Sequence, residues 1–269
     1  MGVSGMRTLT LFDLAFVAPK FDPDAAAFLA QVEAADGQSL ELGIKTAVNN
    51  FVVGCKVDGI WPAIQACCIM AGARTLAGAL VPLKGVAPTN VGFVAGDYSR
   101  TIGLKGNGSS KYLNSNRGAN ADGQNDHHGA VFVTQTHTQG GSYLGSLVNS
   151  PSLNRYGHTA SSDGQDIIAA RSTEFFQGAG GFRTGLLGFN RASSSNFAAR
   201  WNNTSTVVTS NSLVPGSGNY FVFCFNLNGS PHTYTDGRGS FYSIGSSLDL
   251  SLLNPRLITL NNAIVEALA

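Results

Sequence analysis

The sequence predicts a mainly β protein, an antiparallel β-sandwich with a helical region before it and one helix after it. From Gly85 onward, short apolar or alternating runs are separated about every 8–12 residues by clusters of Gly, Ser, Asn and Asp, a spacing typical of sandwiches and barrels. Hydrophobic residues make up 43% of the 269 residues, enough to fill a core, while only 12% are charged. The polar surface must therefore consist largely of neutral hydroxyl and amide groups.

The predicted strands are short and rich in β-branched and aromatic residues. The segment Tyr220–Leu227 is apolar on both faces over most of its length, which predicts a central strand. The clearest strands are predicted at Lys111–Asn114, Ala130–Thr136, Tyr143–Val148, Ile167–Arg171, Gly185–Phe189, Phe197–Trp201, Thr206–Thr209, Tyr220–Leu227 and Phe241–Ile244.

Three helices are predicted before the sandwich. The first has Asp22 as its N-cap and Pro23 at its first position, and it ends near Gly37. The second extends from about Ser39 to Val53, where apolar residues recur with helical spacing, and the third from about Trp61 to Ala73.

The chain is expected to end in another helix. Asn254 and Pro255 would supply its N-cap and first residue, and apolar residues recur along one face after them. We divide the chain into residues 1–84, an arm and a helical region suited to anchoring or oligomerisation, and residues 85–269, the sandwich with its closing helix.

Catalytic patterns are weak in this sequence. Its four glutamates include three on predicted helices, and Glu174 has no second acid two or four residues away, whereas glycan hydrolysis needs paired carboxylates. His127 and His128 follow Asp126, but no GxSxG motif accompanies them, so we expect solvated loop histidines. The sequence therefore predicts that the protein is not an enzyme.

Metal and disulfide sites are sparse as well. Asp122, Asn125 and Asp126 place oxygen ligands in one loop, which would suit calcium, although the spacing is not that of an EF-hand. No other cofactor is expected. The four cysteines show no CxxC spacing and are interpreted as buried thiols, with a Cys55–Cys67 disulfide as the alternative.

A glycan site would need an aromatic platform beside amides. Trp201, Asn202 and Asn203 offer this combination at the end of a predicted strand, and Tyr156 and His158 are further candidates. Trp201 alternates with apolar residues of the same strand, however, which favours a core position for its ring.

Charge and hydropathy indicate which classes of partner and which cellular compartment to expect. The net charge is +1 and no Lys/Arg cluster occurs, so nucleic acid and anionic membranes are not expected partners. The N-terminus lacks a clear signal peptide, and the longest apolar run is too short to span a bilayer. We therefore expect synthesis in a cytoplasm without a secretory address.

Three segments resemble a group of tailed-bacteriophage structural proteins that carry a concanavalin A-like (laminin G-like) sandwich. They are ADGQSLELGIKTAVNNFVVGCKVDGIWPAIQACCIMAGARTLAGALVPLKG at Ala35–Gly85, GLKGNGSSKYLNSNR at Gly103–Arg117 and FYSIGSSLDLSLLNPRLITLNNAI at Phe241–Ile264. In that group the first segment is a helical block ahead of the sandwich. No catalytic residues carry over from the group.

The resemblance implies a virion protein that is made in the host cytoplasm and released by lysis. A lectin-like tail fibre or receptor-binding component that recognises host surface glycan is the leading interpretation, with a capsid decoration or head-fibre protein as the alternative. Other virion proteins and copies of the same chain, with a trimer favoured, would be its partners. A glycan-active enzyme on the same fold and a cellular lectin are the other functions considered.

Overall fold

The computed structural model describes residues 20–138, 140–148, 153–158, 166–178 and 183–269, and for residues 153–158 and Asp166 it describes the backbone alone. Within these residues the chain forms a mainly antiparallel β-sandwich with a layer of helices on one face, which confirms the predicted fold class. The predicted N-terminal arm lies outside the described residues.

Two of the predicted N-terminal helices are confirmed. Helix α1 (Pro23–Asp36) begins where Asp22 accepts a hydrogen bond from the backbone N–H of Asp24 (3.0 Å). It ends at Gly37, whose φ of 69° is the left-handed conformation that glycine adopts without strain. Helix α2 (Leu42–Val57) begins and ends later than predicted. A four-residue helix, α3 (Leu76–Ala79), follows farther along the chain.

The predicted third helix is wrong. Trp61–Ala63 forms a 3-10 turn, and Ile64–Ile69 forms a strand inside the sheet. Its continuous apolar character arises because both faces of this strand are covered: Cys67 points into the core beneath the helices, and Cys68 into the core between the sheets. A short apolar run of this kind does not distinguish a buried strand from a buried helix.

The C-terminal helix begins earlier than predicted. Helix α4 (Leu250–Leu268) is capped by Asp249, which accepts from the N–H of Ser251 (2.8 Å), so Pro255 lies inside the helix and Asn254 is not the cap. Arg256 of α4 forms a bidentate pair with Asp58 at the end of α2, both N–O distances being 2.7 Å. This pair fastens the last helix to the N-terminal ones.

The strands, in chain order, fall into two sheets. They are β1 (Ile64–Ile69), β2 (Pro82–Lys84), β3 (Thr89–Val91), β4 (Tyr98–Ser99), β5 (Gly103–Lys105), β6 (Tyr112–Gly118), β7 (His127–Gln135), β8 (Gly141–Leu147), β9 (Leu153–His158), β10 (Asp166–Ser172), β11 (Phe176–Gln177), β12 (Gly185–Arg191), β13 (Asn196–Trp201), β14 (Thr204–Thr209), β15 (Asn219–Val222), β16 (Phe225–Leu227), β17 (Ser230–His232) and β18 (Arg238–Gly245).

Sheet A has the order β14-β13-β12-β7-β18-β1-β2, with β5 paired to β18 and β4 paired to β5. Sheet B has the order β11-β10-β9-β8-β15-β6-β3, with β16 paired to β8 and to β17. One core lies between the sheets and includes Leu144, Phe189 and Tyr220. A second core lies between the outer face of sheet A and the helices, and includes Phe51 and Leu257.

The segment Tyr220–Leu227 is central in sheet B, as predicted, but it is not one strand. Phe223 has a φ of 69°, which interrupts the extended backbone, so that β15 lies between β8 and β6 while β16 pairs in parallel with β8. Strand β9 was not predicted, because its sequence LNRYGH shows no apolar alternation.

All four cysteines are buried and free, as interpreted from the sequence. Burial raises the pKa of Cys55 to about 12 and raises that of Cys67 as well, so both thiols stay protonated at neutral pH. No helix in the described part of the chain is long and apolar enough to cross a membrane.

Candidate functional site

An open groove of about 300 Å³ lies on the outer face of sheet A, where helix α4 passes over the ends of the strands. This volume is at the lower end of the roughly 300–1,000 Å³ typical of small-molecule sites. Its walls come from the β4–β5 loop, from β7, from the start of β12, from the β13–β14 turn and from α4. They comprise Thr101, Ile102, Phe132, Val133, Thr134, Thr184, Gly185, Asn202, Ile258, Asn261, Asn262 and Val265.

Half of these groups are amides or hydroxyls, and several are available to a ligand. Thr184, Asn202 and Asn262 are exposed, and their side chains form no hydrogen bond within the described residues. Thr134 is already engaged, since its hydroxyl donates to the carbonyl of Ile102 (2.5 Å). The exposed lining residues thus offer two free amides and one free hydroxyl, from three separate segments. Asn261 is buried more deeply: its Nδ2 donates to the carbonyl of Leu257 (2.8 Å), and its Oδ1 has no partner within the described residues.

Asn202 is held in place by the turn that carries it. It occupies a two-residue turn between β13 and β14 with a φ of 52°, and its N–H donates to the carbonyl of Leu186 (2.5 Å). Beneath it, Gly185 has a φ of 99°, and a Cβ at that position would lie 3.0 Å from the Asn202 Oδ1. Glycine therefore leaves the space in which the amide sits.

The neighbouring residue fastens the same turn to helix α4. The Oδ1 of Asn203 accepts from the side-chain Nδ2 of buried Asn254 (2.7 Å). Asn203 thus fixes the β13–β14 turn against helix α4 and is not among the residues that line the groove.

Apolar side chains lie among the polar groups. Ile102 and Val265 are 39% and 46% exposed, and Phe132 lies deeper, at 8%. Together they provide an apolar strip beside the free amides, a combination suited to a ligand with one apolar face and several hydroxyls.

No Asp, Glu, Lys, Arg or His is among the described residues that line this groove. The groove can therefore donate and accept neutral hydrogen bonds and cover apolar surface. The described lining contains neither a general acid or base nor a cation for an anionic group.

Of the predicted glycan-site residues, the structure places Asn202 in the groove. Trp201, beside it, is stacked on Phe176, with ring centroids 4.4 Å apart and an interplanar angle of 18°, and the Arg183 guanidinium lies 6.0 Å from its ring centroid. The ring packs against the inter-sheet core, as its alternation favoured. Tyr156 and His158 lie on β9 of sheet B, and their side chains are outside the described residues.

In the predicted calcium loop, both carboxylates accept hydrogen bonds from other residues of the protein. Both oxygens of Asp122 accept from Arg117 (3.1 and 2.5 Å), and Asp126 Oδ1 accepts from the N–H and hydroxyl of Ser247 (2.7 and 2.6 Å). Asn125 is exposed. No cluster of three or more His, Cys, Asp or Glu suited to a metal occurs in the residues that the structure describes. A calcium ion would have to displace these partners, and its site stays a prediction.

The expectation of solvated loop histidines is wrong. His127 and His128 open strand β7 and are buried. His128 lies 2.6 Å from the carbonyl of Ser246 through Nδ1 and 2.7 Å from the hydroxyl of Ser243 through Nε2. Burial lowers the pKa of His128 to about 4. The apolar run that follows them, GAVFV, could have indicated that the strand already begins at these residues.

Sequence reasoning missed Thr184, Asn261 and Asn262. They come from segments far apart in the chain, and none belongs to a motif. The available signal was two adjacent asparagines on an otherwise amphipathic helix.

Comparison with known proteins gives no matching family model and no matching curated protein. Among solved structures, a Trypanosoma rangeli sialidase in complex with 2,3-difluorosialic acid has a TM-score of 0.49 and 9% identity over 88% of this chain and 38% of its own. A mutant of that sialidase displaying trans-sialidase activity has a TM-score of 0.46 and 12% identity over 83% and 40%. A CBM40 of Ruminococcus gnavus IT-sialidase has a TM-score of 0.36 and 9% identity over 48% and 82%.

At these identities the likeness concerns the fold, and the chain spans less than half the length of the sialidases that it matches. The prediction that the protein is not an enzyme is contradicted by these comparisons, since the solved structures that resemble it include sialidases, and it is not retained.

Proposed function

We propose that this protein binds glycan through the groove between sheet A and helix α4. The observation that supports the proposal is the lining itself, with free amides at Asn202 and Asn262 beside the exposed apolar groups of Ile102 and Val265. A sugar presents hydroxyls around its rim and C–H groups on its faces. Amides can pair with the hydroxyls while the apolar strip covers the C–H face.

The absence of charge from the described lining favours a neutral sugar over a sialylated one. A carboxylate that entered the groove would lose hydration without gaining a charge-assisted partner. We therefore expect neutral hexoses or N-acetylhexosamines to bind better than sialyllactose, with little dependence on salt.

A single site of this kind should be weak. Each neutral hydrogen bond contributes about 0.5–1.5 kcal/mol net, so a few bonds with limited apolar contact correspond to a Kd of about 1 mM. Several copies on one particle would raise the avidity without any new contact.

The test is a glycan array with the wild-type protein, followed by calorimetric titration of the best ligand. The variant Asn202→Ala/Asn262→Ala should lose binding, whereas Asn211→Ala, a change at an exposed asparagine outside the groove lining, should retain it. Binding that survives in the double variant would overturn the assignment of the groove. Release of sugar from the same ligands is measured in parallel, because a glycan-active enzyme is the alternative function.

We further propose, from the resemblance of three segments to bacteriophage structural proteins, that the protein is a component of a virion and binds glycan there. A tail fibre or receptor-binding component that recognises host surface glycan is favoured over a capsid decoration or head-fibre protein. Antibody labelling of purified particles would locate the chain at the tail or the head. Particles that lack the chain would refute the virion proposal while leaving the glycan proposal standing.

A further inference from the structure

The edges of the two sheets differ in how they are protected against pairing with another chain. A sheet edge exposes unpaired N–H and C=O groups, and proteins usually blunt it with a very short strand, a proline or a lysine. In the described residues, the edge strands β2, β3, β4, β11 and β17 are two or three residues long, and β2 also contains Pro82 and Lys84.

Strand β14 has none of these protections. It is six residues long, reads TSTVVT, and contains no charge and no proline. Its pairing with β13 is regular from Trp201↔Thr204 to Asn196↔Thr209, without a bulge. No described strand pairs with its other side. Val207 on this strand is 67% exposed.

The hydrogen-bond parity of β14 shows which groups face outward. Ser210, just beyond the strand, donates its N–H to the carbonyl of Ser195, the next position in the same register. In an antiparallel pair, bonded positions alternate with unbonded ones, so the even-numbered residues of β14 bond to β13. The N–H and C=O groups of Ser205, Val207 and Thr209 therefore point away from the sheet.

We propose that β14 is a self-association edge, and that two copies of this chain pair antiparallel through it about a two-fold axis at Val207. In that register Val207 faces its own copy and Ser205 faces Thr209 of the second chain. All three outward positions are then used on both strands, which gives about six backbone hydrogen bonds.

The composition of β14 favours a second copy of this chain as the partner that pairs with its free edge. The two-fold register sets valine against valine and hydroxyl against hydroxyl, and no charge on either strand opposes the pairing. The pairing closes after two chains, so it yields a dimer, not the trimer favoured from the resemblance.

The test compares Val207→Lys with Val86→Lys, which introduces the same charge at a valine that is 65% exposed and outside strand β14. Sedimentation equilibrium at tens of micromolar should give twice the chain mass of 28.0 kDa for the wild type and for Val86→Lys. Val207→Lys should give the monomer mass, because two lysines would face each other at the axis. Circular dichroism confirms that both variants are folded.

Hydrogen exchange adds a readout that general destabilisation would not produce. As concentration rises, the amides of Ser205, Val207 and Thr209 should gain protection, while those of Thr206 and Val208, already bonded to β13, should not. A wild type that remains monomeric, or a Val207→Lys variant that still dimerises, would overturn the proposal.

Discussion

The paired strands β7 and β12 have one end that is closed and one end that is open. At the closed end, Arg191 pairs with His127 in register, and both side chains are buried together with His128. At the open end, Gly185 pairs with Val133, and both line the groove. The same two strands therefore bury polar side chains at one end and leave polar groups free at the other.

The difference lies in where the hydrogen bonds go. Arg191 donates through Nε to the carbonyl of Ala170 (2.7 Å) and through Nη1 to the carbonyls of Ser193, Asn196 and Ser210 (3.1 Å each). Asn202 at the open end directs its side-chain amide to no partner in the described chain. Changes at the closed end should therefore reduce stability, and changes at the open end should reduce binding.

The largest effect is expected at Arg191. Arg191→Met keeps much of the side-chain volume but removes the guanidinium donor from the buried carbonyls of Ala170 and Ser210, and each such loss costs about 1–3 kcal/mol. We expect a loss of about 3 kcal/mol or more in the free energy of unfolding, measured by urea denaturation. Lys105→Met, a change at an exposed cation, is the control and should cost little. Equal losses in the two variants would remove the distinction between the ends.

The second effect is a pH dependence that arises from His128. Its folded-state pKa of about 4 is below the unfolded value of about 6.5, so the unfolded state binds the proton first. The stabilisation is complete above about pH 6.5 and is lost as the pH falls toward about 4, by about 3 kcal/mol in total. His128→Gln should flatten the unfolding free energy between these values, whereas His232→Gln, at an exposed histidine, should not. An unchanged slope in His128→Gln would contradict this account.

A substitution at Gly185 should both strain the backbone at the open end and displace the Asn202 amide. Gly185→Ala places a Cβ at a φ of 99°, where it meets the Asn202 Oδ1, so we expect a loss of stability of about 1–3 kcal/mol and weaker glycan binding. Gly96→Ala, at a glycine with open space around it, should change neither quantity. Calorimetric unfolding and glycan titration measure the two effects separately.

The smallest effect is expected at Asn202 itself. Asn202→Ala removes one neutral hydrogen bond to the ligand, which should weaken binding about three- to tenfold. Because alanine tolerates the φ of 52° less well than asparagine, we also expect a loss of about 1 kcal/mol in the free energy of unfolding. A stability loss as large as that of Arg191→Met would show that the open end is structural too.

Much of the fold could be predicted from the sequence, because its signals are local. The Asp22-Pro23 helix start, the stripe that includes Leu257 and Leu260, and the turn-separated strands each lie within a few consecutive residues. The segment Ile64–Ile69 could not be assigned correctly, since its apolarity comes from two cores that meet only in the folded chain.

The candidate site was less predictable. Asn202 was a candidate because it follows an aromatic residue, yet Trp201 itself turned out to be packed against Phe176. Its groove partners Thr184 and Asn262 come from a different strand start and from the last helix. The spacing of these residues along the chain does not show that they come together in the groove, because their contact depends on how α4 crosses sheet A.

Binding of glycan in the groove is tested most directly by titrating the best neutral glycan into the wild type, Asn202→Ala/Asn262→Ala and Arg191→Met, at a temperature where all three are folded. We expect the Asn202→Ala/Asn262→Ala variant to lose binding with only a small loss of stability, and Arg191→Met to lose stability but to bind with wild-type affinity. Loss of affinity in Arg191→Met with retention in the Asn202→Ala/Asn262→Ala variant would contradict binding of glycan in the groove.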